Sequence, residues 1–83
     1  MLRLLKPIMS KLPRISGEKT IRTLKIFGFE VMRQQGSHVI LKKKMAKGEI
    51  GCVVPLHREL AVGTLRGILK QAKITVEDFL KEV

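Results

Sequence analysis

Residues Gly28–Lys44 read GFEVMRQQGSHVILKKK. The stretch divides into a strand over Phe29–Arg33, a polar glycine-containing turn over Gln34–Ser37, and a second strand over His38–Lys43. Alternation along the second strand puts His38, Ile40 and Lys42 on one side and Val39, Leu41 and Lys43 on the other. Both sides carry apolar residues, so the pattern leaves open which one meets the core. A basic loop is expected over Lys44–Gly48, then a third strand over Glu49–Val54. Pro55 stops it, because proline has no N–H to donate to a ladder. Three strands joined this closely predict an antiparallel meander.

The flanks read as helices. Ser16 is an N-cap with Glu18 in the first turn, where a carboxylate suits the helix dipole. The helix then spans Gly17–Phe27, with Ile21, Leu24 and Phe27 on one face and Gly28 at its end. After the sheet, Leu65, Ile68, Leu69 and Ala72 fall at i, i+3, i+4, i+7 in a helix starting near Gly63 or Thr64. Arg66, Lys70 and Lys73 repeat that spacing on another face as a basic stripe. Thr75, followed three residues later by Asp78, caps a last short helix. Pro7 and Pro13 break residues 1–15 into an arm, which leaves residues 16–83 as the folded domain. The expected class is therefore α+β in the order α-β-β-β-α-α, a three-stranded antiparallel sheet with helices on one face.

The 83 residues allow one domain with a small core. With 17 Lys+Arg against 7 Asp+Glu, the net charge of +10 points to a polyanionic partner. The absence of Trp and Tyr, with only three Phe, argues against an aromatic platform for stacking bases. No apolar run approaches the ~20 residues of a membrane span. The lone cysteine, Cys52, has apolar neighbours, as a buried thiol in a reducing cytoplasm would.

The chemistry-bearing residues are few. Two histidines, one cysteine and scattered acids make no zinc set, and GEIGC over residues 48–52 lacks the spacing of a phosphate loop. No metal and no cofactor are expected. His38 stands at a strand entrance, with Lys42, Lys43 and Lys44 following. Metal-free RNA cleavage needs a base for the 2′-hydroxyl, an acid for the leaving oxygen and positive charge for the phosphorane. Imidazole suits the first two tasks, since its ordinary pKa lies near neutrality. Lysine or arginine suits the third. His57 is the second titratable candidate: it shares acid and base duties if the fold brings it near His38, and otherwise serves a loop. The stripe of Arg66, Lys70 and Lys73 fits a phosphate backbone, a solvated helix face or a docking face for an acidic protein.

Several segments together carry a resemblance: Ser16–Glu18, Gly28–Phe29, RQQGSH over Arg33–His38, VVP over Val53–Pro55 and GTLRGILKQA over Gly63–Ala72. In this order they resemble the HicA-type (YcfA-like) toxins of toxin–antitoxin pairs, across about Lys11–Lys81. The resemblance implies a fold like a double-stranded-RNA-binding domain, ribosome-independent mRNA cleavage and inhibition by a HicB-type antitoxin. It implies a monomer alone and a hetero-oligomer with the antitoxin. The GSH histidine of the family maps to His38 as the catalytic residue, and the one after VP maps to His57. The RNA-binding set then comprises Arg33, Ser37, Lys42, Lys43, Lys44, Arg66, Lys70 and Lys73. Val39 stands where the family often has a second histidine, and the basic segment Lys42–Glu49 replaces a compact Pro-Asp-Gly turn. A non-catalytic RNA-binding domain using the same surface is the alternative.

Overall fold

The computed structural model describes residues 12–83. Its elements are α1 (Gly17–Ile26), β1 (Glu30–Gln35), β2 (His38–Met45), β3 (Gly48–Pro55), α2 (Val62–Ala72) and α3 (Val76–Glu82). The sheet has the order β1-β2-β3 with both pairings antiparallel, the meander expected from the turns. Of the expected arm, residues 1–11 lie outside the described residues. Leu12 is buried in the core, and the Ile15 carbonyl accepts from the Leu60 N–H at 2.7 Å.

Local chemistry sets the ends of the elements. The Ser16 hydroxyl accepts from the Lys19 N–H at 3.0 Å, and the Thr75 hydroxyl accepts from the Asp78 N–H at 3.1 Å. Phe27 is the C-cap of α1, and Gly28 follows in the left-handed region. α2 begins at Val62 after Ala61, which offers no capping side chain. That is why a reading tuned to polar caps starts the helix one or two residues late. Buried Thr20 and Thr23 lie on the core side of α1. Their hydroxyls donate to the Ser16 and Lys19 carbonyls at 2.9 and 3.0 Å, so neither is left unsatisfied.

The hairpin β2–β3 runs further than its sequence suggests. Lys44 and Met45 pair with Glu49 and Gly48, so the expected basic loop shrinks to a two-residue turn, Ala46–Lys47. Lysine is a poor strand former on propensity, but the tip of this hairpin is solvent-exposed. There its long stem can lie along the ladder with the ammonium in water.

The core lies on one side of the sheet. Val39 and Leu41 of β2 face Val54 and Cys52 of β3, and all four are buried. Leu24 of α1, Leu65 and Leu69 of α2, and Phe79 of α3 close over them. The open question of the sequence is thereby answered: the Val39–Leu41 face meets the helices, and the face of His38, Ile40 and Lys42 does not. Among the described residues, no helix is long and apolar enough to cross a membrane.

Cys52 sits within this core, 3% exposed. Burial disfavours its thiolate and raises its pKa from 9.0 to about 11. Thiolate is the reactive form, so at pH 8 the folded protein should react with an alkylating reagent at least about 100-fold more slowly than the urea-unfolded chain. The same shift has a sign for stability. The unfolded chain loses the thiol proton as pH rises above about 9, while the folded chain keeps it to about 11, so stability falls across that interval. Equal alkylation rates in the folded and unfolded chain would show that Cys52 is not enclosed.

Candidate functional site

His38 is the first residue of β2, directly after the two-residue turn Gly36–Ser37. Gly36 has φ +59 and Ser37 does not share the left-handed region, the pattern of a type II′ hairpin turn with glycine first. The turn fixes the register: His38 lies opposite Gln35 on β1 and opposite Pro55 on β3. Since Val39 and Leu41 point into the core, His38 points out from the uncovered face, and it is exposed. Neither His38 nor His57 makes a side-chain hydrogen bond among the described residues.

Arg33 reaches the same face through an irregularity in β1. Val31 pairs with Leu41 and Arg33 with Ile40, so Met32 is an extra residue in the strand. Without that bulge, Arg33 would oppose Val39 and point to the helix side. One inserted residue moves it to the side of His38.

The segment after β3 completes this end of the sheet. The Leu56 N–H donates to the Ser37 carbonyl at 2.6 Å, and the Gly17 N–H donates to the His57 carbonyl at 2.9 Å. These bonds lace residues 55–57 to the turn before His38 and to the start of α1. The His57 side chain is exposed and lines a cleft with Ser16, Glu18, Leu56 and Arg58. The two histidines therefore occupy the same end of the sheet, at the start of β2 and just past the end of β3. Arg58 had no signal in the sequence, because its place depends on how the chain leaves Pro55.

The other expected site residues are distributed more widely. Lys42 and Lys44 share the open face with His38, but the Lys42 ammonium lies 3.4 Å from the Glu49 carboxylate. Lys43 points to the helix side, half-buried. A second cleft, at the far end of the sheet, is lined by Glu30, Met32, Glu49 and all three lysines. Arg66 and Lys70 are exposed on α2, which packs against the other side of the sheet from His38. Lys73 is not part of their helical stripe: it is the C-cap of α2, in the left-handed conformation with φ +58.

The arrangement offers a solvent-accessible imidazole on an uncovered sheet face, with arginine on either side of it in the chain's path and lysines further along. Comparison with known proteins bears out the family resemblance read from the sequence. The family described as "HicA toxin of bacterial toxin-antitoxin" matches residues 17–74, which run from the first residue of α1 to just past α2. No curated protein and no solved structure matches the chain. The family match covers the greater part of the chain, and the chain belongs to the HicA family of toxins of toxin–antitoxin systems.

Proposed function

We propose that this toxin is a metal-independent endoribonuclease that cleaves mRNA, with His38 as general base. The observation that carries the reading is the placement of His38: exposed, at the mouth of β2, on the sheet face the helices leave open. A phosphate-sized ligand can reach the ring there without disturbing the core.

In this mechanism His38 takes the proton of a ribose 2′-hydroxyl, and the 2′-oxygen attacks the adjacent phosphorus. Negative charge builds on the non-bridging oxygens and is stabilised by nearby cationic side chains. The 5′-oxygen departs with a proton from His57 or from water. The products are a 2′,3′-cyclic phosphate on one fragment and a 5′-hydroxyl on the other. Lys42, Lys44 and Arg33 hold neighbouring parts of the RNA on the open face, and their contribution weakens with salt. A cytoplasmic HicB-type antitoxin masks the active toxin by forming a hetero-oligomer with it, and the toxin alone is a monomer.

The chemistry of the ends tests this. RNA treated with the purified toxin in excess EDTA should give fragments ending in 2′,3′-cyclic phosphate. Fragments carrying 5′-phosphates, formed only with added magnesium, would replace this mechanism with metal-activated water. RNA that is bound but never cut would leave the non-catalytic RNA-binding reading.

A further inference from the structure

The conspicuous supply of charge for a phosphate is the run Lys42–Lys44, but its geometry points away from His38. Lys43 projects to the helix side. Lys42 and Lys44 stand four and six positions along β2, roughly 14 and 20 Å away at a strand's rise per residue. Glu49, which holds the Lys42 ammonium at 3.4 Å, lies opposite Lys44. The ion pair therefore draws that ammonium toward the far end of the sheet. Glu30 faces Lys42 from β1, so two carboxylates offset two lysines there.

Arginines stand at the His38 end of the sheet. Arg33 lies opposite Ile40, one step along the open face from His38. Across the sheet, Pro55 is the direct partner of His38, and residues 56 and 57 are pinned by backbone bonds to Ser37 and Gly17. Arg58 comes next. Its Cα can be no more than about 11 Å from that of Pro55, the span of three extended residues. Its side chain is exposed and has no ion-pair partner among the described residues, while its neighbour Glu59 takes Arg14 at 3.8 Å. Arg58 thus lines one cleft with His57 and Glu18 at the end of the sheet where His38 stands, in no ion pair among the described residues.

We propose that Arg58 is a catalytic residue, holding the scissile phosphate together with Arg33 while the strand lysines hold RNA further along. The inference rests on the ribonuclease reading above. A guanidinium presents two parallel N–H donors to two phosphate oxygens, a fit that an ammonium lacks. It makes its strongest contacts as charge gathers on those oxygens, so its loss should appear in kcat rather than in KM.

The test is steady-state cleavage of a short single-stranded RNA, with thermal melts to confirm folding. Arg58→Ala should lower kcat by about 100-fold, the usual cost of removing one donor to a developing oxyanion, with little change in KM. Millimolar guanidinium chloride should restore part of that rate, an effect a merely structural role would not give. Arg58→Lys should fall between the parent and Arg58→Ala. Removing Lys42 and Lys44 together should instead raise KM and make it less sensitive to salt. Parent-like kcat in Arg58→Ala, with cleavage still dependent on His38, would overturn this inference and leave the ribonuclease reading standing. If the parent cuts RNA no better than His38→Ala does, the ribonuclease reading fails, and the role of Arg58 falls with it.

Discussion

Gly17→Ala should destabilise the domain by about 3 kcal/mol, although alanine is normally the better helix former by roughly 1 kcal/mol. Gly17 is the first residue of α1 and is buried. A methyl group on its Cα would overlap the Pro55 carbonyl oxygen, with the Pro55 carbonyl carbon at 3.0 Å and the Leu56 Cα at 3.1 Å. All three are backbone atoms, so no rotamer change relieves the contact. Either α1 or the exit from β3 has to move, and the bond from Gly17 N–H to the His57 carbonyl stretches as it does. For a domain of this size the loss corresponds to a fall in Tm of roughly 12–24 °C, readable by circular dichroism. Gly67→Ala is the matched control. Gly67 lies in the middle of α2, is exposed, and has nothing within 4 Å of an added methyl. That substitution should raise stability by up to about 1 kcal/mol. Should Gly17→Ala melt at the parent temperature, the close approach of α1 to β3 is wrong. The packing that holds His57 and Arg58 in place would be wrong with it.

The features legible in the sequence are those decided by a few neighbouring residues. Ser16 and Thr75 announce their helices because a hydroxyl three residues before an N–H can cap it, and both bonds form. The glycine in the turn before His38 announces the hairpin, and the closeness of the three strands announces the meander. The hidden features depend on residues far apart. β2 carries apolar residues on both faces, and Val39 and Leu41 are buried only because Val54 and Cys52 lie beside them and α1 and α2 pack on β3. The bulge at Met32 leaves no mark in composition, yet it decides the side to which Arg33 points. Lys73 continues a helical spacing on paper, but the chain turns left-handed there, and α2 ends. At the candidate site, the position of His38 at a strand entrance could be read because the turn beside it is local. The place of Arg58 could not, because only the folded path of residues 55–58 brings it into the cleft with His57 at the same end of the sheet.

His38→Ala should lower RNA cleavage by about 1,000-fold, within the range that a positioned general base contributes, while leaving the fold intact. The ring is exposed and makes no side-chain hydrogen bond among the described residues, so its removal opens no cavity and strands no partner. Surface changes of this kind shift stability by no more than about 0.5 kcal/mol. RNA affinity, and its dependence on salt, should also be kept, because the phosphate-holding cations remain. The combination separates an enzyme from a binding module: in a binder, the substitution has no cleavage to remove. The two histidines can then be told apart by chemistry. A substrate with sulfur in place of the bridging 5′-oxygen has a leaving group that departs without a proton, so it no longer needs an acid. It should rescue His57→Ala if His57 is that acid, and it should not rescue His38→Ala, because the 2′-hydroxyl must still lose its proton. If His38→Ala cuts RNA at the parent rate, the exposed imidazole has no part in the reaction. If sulfur restores it fully, His38 is the acid, and the direction of proton transfer is the reverse of the one proposed.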